Sequence, residues 1–278
     1  MRLNSRRILS ILLCLVLLCS VGVLLWQQYS DQFAANSYDR AEELLEAAPP
    51  AEIENSTPPK ADLPELWIPA PVEDDPYLEQ LRQTDLSALK EVNPDVVGWI
   101  SIPDTVINFP LLQGEDNHYY LKYTWDNRRS NVGSIYLDST IDPLLGDFHS
   151  IVYGHNLLDG TMFSSLLLYA EQEHYEAHPY IYVVTENDVY RYEIYSSYEA
   201  EVTSYTYRIG FSSDRAKQDF IAIGTEKTVI ETGILPEPTD RILTLSTCMN
   251  SGTETRWVIQ ARLKMIDQNA VDAVPATS

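Results

Sequence analysis

The chain of 278 residues is 45% hydrophobic, enough for a packed core and for one large or two small domains. Its 41 acidic residues against 19 basic ones give a formal charge of -22, which repels phosphate backbones and argues against a nucleic-acid partner. No EF-hand-like run of Asp and Asn around a Gly interrupts this excess, so it reads as a solvated surface, and no required metal is expected.

Residues 8–26 are free of charge, and as a helix at about 1.5 Å per residue they reach roughly 28 Å, close to a bilayer's apolar thickness. Arg2, Arg6 and Arg7 precede this run and the next basic residue is Arg40. Positive charge stays inside, so residues 1–7 read as a cytoplasmic tail. The chain then reads as single-pass, embedded in the lipid bilayer through 8–26, with its bulk outside. A cleaved signal sequence is the competing reading. Leu24, Trp26, Gln27 and Gln28 are poor cleavage neighbours, whereas Ala34 and Ala35 leave that alternative open. Cys14 and Cys19 read as small apolar membrane residues, which makes Cys248 the only cysteine of the external part and precludes a disulfide within it.

Residues 27–75 read as a stalk and linker. Ala41, Leu44, Leu45 and Ala48 share one face of a short helix over 37–48 with Ser37 as its N-cap. Eight of the chain's 16 prolines follow within 49–76, a composition of extended chain that tethers the domain to the membrane. The domain itself is assigned to 76–264. Pro76 opens a helix whose apolar stripe, Tyr77, Leu78, Leu81, Leu86 and Leu89, runs to the stop at Asn93-Pro94.

Short β-rich runs then succeed one another at 96–102, 106–112, 133–137, 150–153, 180–185, 189–196, 242–247 and 257–263. Eight strands with few long helices predict a closed β-barrel, because closure removes exposed edges. Two helices interrupt it, one over 161–170 and one over 213–227 that fills the gap between the sixth and seventh strands. Residues 265–278, polar and Ala-rich, read as a disordered tail.

Cys248 ends the seventh strand, and Met249-Asn250-Ser251-Gly252 after it reads as a turn into loop. A thiol with a free pKa of about 8.5 is mostly protonated at neutral pH, so a nucleophilic role needs a nearby base or cation. Of five histidines, His155 alone follows a predicted buried strand, after Gly154. His118, His149, His174 and His178 lie among acidic or polar turn residues and read as solvated. Arg256 opens the last strand, and if that strand pairs antiparallel with the seventh, Arg256 and Cys248 reach the same end. There an arginine can stabilise a thiolate or an oxyanion.

Tyr153-Gly154-His155-Asn156, Thr244-Leu245-Ser246-Thr247-Cys248 and the following Arg256 resemble the three signature blocks of sortases. The helix before Asn93, the run from Asn93 to Ile100, the Asp159-to-Phe163 segment and the helix between strands six and seven are similar to class B of that family. The resemblance implies a mainly β fold, a closed eight-stranded barrel with peripheral helices that include an N-terminal one. It also implies a membrane-anchored cysteine transpeptidase. Cys248, His155 and Arg256 would be catalytic with no cofactor needed, and Asn117, Leu121, Tyr153, Ser246 and Thr247 would lie near the substrate groove. The implied partners are surface proteins bearing a C-terminal sorting motif, cleaved after Thr through a thioester, and an amine of a peptidoglycan precursor or pilin. The rival readings are an extracytoplasmic cysteine endopeptidase and a non-catalytic surface adhesin.

Overall fold

A computed structural model describes residues 5–47, 75–248 and 254–268. The expected linker over 49–74, the turn after Cys248 and the end of the expected tail fall outside these described residues.

Helix α1 spans Ser5–Ala47 and contains the uncharged run. By length and composition it can cross a membrane, and none of its most apolar stretch is buried against the rest of the chain. The helix expected to begin at Ser37 is the last part of this one. Ser37 does not cap it but donates its hydroxyl to Asp126 Oδ1 (2.9 Å). Ala34, Ser37, Tyr38 and Ala41, spaced three and four apart, are buried against the domain.

The single helix expected from Pro76 is two, α2 (Pro76–Leu81) and α3 (Ser87–Val92). Pro76 fits the first turn, where no amide bond is lost, and Asp75 caps it by accepting from Leu78 N. The break has a local cause: the Asp85 carboxylate accepts from both the amide and the hydroxyl of Ser87, a side-chain alternative to helix hydrogen bonds.

Eight strands follow: β1 (Val96–Ser101), β2 (Asn108–Leu112), β3 (Ile135–Leu137), β4 (His149–Gly154), β5 (Tyr180–Val184), β6 (Asp188–Glu201), β7 (Ile242–Cys248) and β8 (Thr255–Gln268). They close a barrel in the order β1-β2-β3-β4-β7-β8-β6-β5. Two ladders, β2 with β3 and β4 with β7, are parallel and the rest antiparallel. β6 and β8 outrun their sequence limits because they pair with each other from Asp188–Gln268 to Glu201–Thr255, with register shifts that break the alternation. β8 therefore continues beyond Lys264 into the segment expected to be disordered.

The barrel interior is filled by Ile100, Leu111, Val152, Leu243, Leu245 and Ile259, all fully buried. The helix expected over 161–170 is a 3-10 segment, Ser164–Ala170, followed by α4 (Gln172–Ala177). Between β6 and β7 lies α5 (Asp214–Lys227), capped by Ser213 and buried through Phe220 and Ile221.

Candidate active site

Register, not proximity in sequence, assembles the site. β4 and β7 run parallel with Tyr153 beside Ser246 and Gly154 beside Thr247. The next residue after Gly154 is His155, so the chain leaves β4 at the level of Cys248. On the other side β7 and β8 are antiparallel with Cys248 directly opposite Arg256. His155, Cys248 and Arg256 thus stand at one end of three adjacent strands, through the antiparallel pairing on which the sequence reading of Cys248 and Arg256 depended.

A cleft of about 280 Å³ opens at this end, lined by Asn117, Leu121, Tyr153, His155, Ser246 and Arg256, with Tyr136, Val202 and Tyr207 closing its sides. His155 Nε2 lies 2.9 Å from the Leu121 carbonyl oxygen. A carbonyl only accepts, so Nε2 holds the proton of the neutral ring and Nδ1 remains as its basic nitrogen. Gly154 has to be glycine: a Cβ there would stand 2.5 Å from Ile135 and 2.6 Å from Phe163. Arg256, half-buried, donates from Nη1 to the Thr255 carbonyl (3.0 Å) and has no acidic ion-pair partner among the described residues.

One wall is organised by Asp138, a residue the sequence did not single out. Its Oδ2 accepts from Asn117 Nδ2 (2.7 Å) and the Tyr153 hydroxyl (3.2 Å), and its Oδ1 from the amide and hydroxyl of Thr140. The Ser139 amide donates to Asn117 Oδ1, so the Asn117 amide is held from both ends. Burial, and next the Asp138 charge, push the Tyr153 phenol well above its ordinary range, which keeps it a donor. Opposite, Ser246 Oγ lies 2.9 Å from the Tyr207 hydroxyl. Thr247 faces the other way. It is buried, its hydroxyl has no partner among the described residues, and it does not line the cleft. Asp138 and Tyr207 carry no motif of their own; only an Asp directly after the predicted third strand hinted at the first.

His118 is exposed as expected, while His174 and His178 are half-buried. His149 is a correction. It is 2% exposed, its Nδ1 bonded to the Arg208 carbonyl (2.8 Å) and its Nε2 to Thr244 Oγ1 (2.7 Å). The polar neighbours in sequence pointed outward, but His149 begins β4, and pairing with Ile242 draws it inside.

A sortase-domain family model matches residues 100–264. Sortase B of Listeria monocytogenes is 34% identical over 181 residues, 64% of this chain and 74% of that protein. Sortase B of Staphylococcus aureus is 34% identical over 178 residues, 63% and 73% of the two chains. The solved S. aureus sortase B–substrate complex superposes with a TM-score of 0.61 at 32% identity, covering 66% of this chain and 84% of that one. Sortase B of B. anthracis in complex with AAEK1 gives 0.66 at 28% identity, covering 86% and 98%. A closed eight-stranded mixed barrel carrying a cleft at the ends of β4, β7 and β8 is the fold of one class of cysteine transpeptidases. The chain belongs to the sortase family. Within that family it is class B-like, a cysteine transpeptidase that acts generally in cell-wall sorting.

Proposed function

We propose that the protein is a membrane-anchored sortase in which Cys248 is the nucleophile, His155 the acid and base, and Arg256 the oxyanion donor. The observation that carries this reading is the shared level of the three residues on adjacent ladders. His155 Nδ1 takes the proton of the Cys248 thiol, and the thiolate attacks the Thr carbonyl of a sorting motif; an S–C bond forms and the carbonyl electron pair moves onto oxygen, where the Arg256 guanidinium stabilises it. As the oxyanion collapses, the C–N bond breaks and His155 gives its proton to the leaving amine. An incoming amine then loses its proton to His155, attacks the thioester and releases the thiolate. No redox partner enters this scheme.

Asn117, Leu121, Tyr153 and Ser246 hold the peptide in the cleft, and Thr247 contributes through its backbone. One solved sortase B is complexed with triglycine, which makes an oligoglycine amine the first acceptor to try, ahead of a pilin lysine. Residues 8–26 anchor the chain with its N-terminus cytoplasmic and the barrel outside, as Arg2, Arg6 and Arg7 favour.

The test is mass spectrometry of the full chain incubated with Leu-Pro-x-Thr-Gly and Asn-Pro-x-Thr-x peptides plus triglycine. Cleavage after Thr with the triglycine joined, and lost in Cys248→Ala, is expected. Hydrolysed product alone, even at saturating triglycine, would favour the endopeptidase, and no Cys248-dependent product would favour a binding protein.

A further inference from the structure

The imidazole of His155 rests on a loop rather than on the sheet, and that loop is held by α1. Its Nε2 bonds the Leu121 carbonyl, and its ring lies against Gly133: a Cβ on Gly133 would stand 2.8 Å from His155 Cδ2 and 2.7 Å from the Tyr120 carbonyl. Gly133 has a φ of +65°, so the chain turns directly behind the ring in a conformation only glycine adopts easily. Between Leu121 and Gly133 the chain has little regular structure, just a bridge from Tyr123 to Arg129 and bonds such as Ser130 N to the Lys122 carbonyl.

Helix α1 grips this loop at several points. The Tyr38 hydroxyl donates to the Gly133 carbonyl (2.5 Å) and lies 3.2 Å from Ser134 Oγ, which in turn donates to the Tyr123 carbonyl. The fully buried Trp125 donates its indole N–H to the Ser37 carbonyl (2.7 Å), Ser37 bonds Asp126, and the Arg128 guanidinium sits 4.7 Å from the Phe33 ring centre. Ala34 and Ala41 are small enough to bring the helix against the barrel.

We propose that Tyr38, on the helix that also carries the membrane-spanning run, is a positioning residue that fixes the Gly133 turn behind His155 and so couples the docking of α1 to the acyl-transfer site. This rests on the reading of His155 as the acid and base. The turn and the Leu121 carbonyl are the two surfaces that set the imidazole, and Tyr38 anchors the first through a buried bond that the loop's own sequence does not supply. Loosening it lets the ring drift by fractions of an ångström, a scale to which proton transfer is sensitive.

The experiment uses the full chain in phospholipid nanodiscs, with Cys14→Ser and Cys19→Ser so that only Cys248 reacts with iodoacetamide. The alkylation rate is followed over about pH 5 to 9, where a thiol–imidazole pair titrates, and triglycine transfer is measured alongside. Tyr38→Phe is expected to move the alkylation profile partway toward that of His155→Ala and to lower turnover about tenfold with the peptide KM little changed. Trp125→Phe, at the same seam, is expected to shift it in the same direction. Glu42→Ala, which removes the bond that Asn108 of β2 donates to another part of the docked helix, is expected to keep the wild-type profile. A wild-type profile in Tyr38→Phe beside a displaced one in His155→Ala overturns the coupling alone, as does an equal displacement in Glu42→Ala. An unaltered profile in His155→Ala instead removes the role of His155, and the coupling with it.

Discussion

Two histidines bracket β4, and their surroundings give them opposite tasks. His155, just beyond the strand, keeps one ring nitrogen toward a cleft. His149, at its start, has both nitrogens bonded inside, and burial pushes its pKa from 6.5 down to about 4. The unfolded chain therefore binds a proton between those values that the folded chain does not, so stability is intact above about pH 6.5 and falls as the pH drops toward 4, by on the order of 3 kcal/mol. Urea unfolding across this range is expected to show a shallower acid loss for His149→Gln, which cannot titrate, than for the wild type. Arg256 poses a different question, of shape as much as charge. Arg256→Lys keeps the charge but loses the fork, and a drop in turnover of about a hundredfold is expected with thermal stability nearly unchanged. Steady-state kinetics and a melting curve on the same sample decide it. That His155, Cys248 and Arg256 come together was legible because few residue types suit such chemistry and strand order puts them at one end. Asp138 was not, since one Asp among many becomes special only when folding brings Asn117 and Tyr153 to it.

At the scale of elements, α5 seats on the barrel through a glycine. A Cβ on Gly224 would overlap Gln260 Oε1, which also accepts from the Tyr195 hydroxyl (3.0 Å), while the Gly224 carbonyl accepts from Ser196 Oγ (2.7 Å). Gly224→Ala would gain about 1 kcal/mol of helix propensity, but overpacking against a fixed Gln260 is expected to outweigh it, for a net loss of about 1–3 kcal/mol in chemical denaturation. α2 is secured by charge. Asp75 caps it and also pairs with Arg191 of β6 (2.8 Å), both side chains 9% exposed, and accepts from the Tyr182 hydroxyl (2.9 Å). Burial opposes ionisation of Asp75, yet the Leu78 amide and Arg191 hold its carboxyl below the ordinary range. Asp75→Ala strands the guanidinium and is expected to cost about 3 kcal/mol or more, whereas Asp75→Ala with Arg191→Met recovers much of the loss. Equilibrium unfolding of the three proteins separates these outcomes. The helix start at Pro76 and the strands could be read from local pattern. The break at Asp85 and the length of β6 and β8 could not, because a side-chain hydrogen bond and a long mutual ladder override periodicity.

For the whole molecule, both the barrel and the docking of α1 rest on contacts between distant segments. The parallel β4–β7 ladder brings together segments about ninety residues apart, with α5 and β6 between them, and α1 reaches over to the loop that supports His155. The sequence suggested a separate short helix from Ser37, whereas one continuous helix carries Ala34, Tyr38 and Ala41 onto the barrel surface. Docking the end of the helix leaves the barrel less free to swing about the apolar run than a flexible linker would.

By itself the sequence determined the family, the mainly β fold and the eight strands, and it singled out the three residues on which the proposed chemistry rests. Each is a local matter of apolar alternation, turn residues or scarce reactive types in a fixed order. Only the tertiary structure decided that His149 is buried, that Asp138 organises a wall of the cleft, that Thr247 turns away from it and that Tyr38 bonds the Gly133 turn against which His155 lies. Those facts depend on which strands pair and in what register, and non-local pairing of this kind is a property of the closed barrel rather than of any window along the chain.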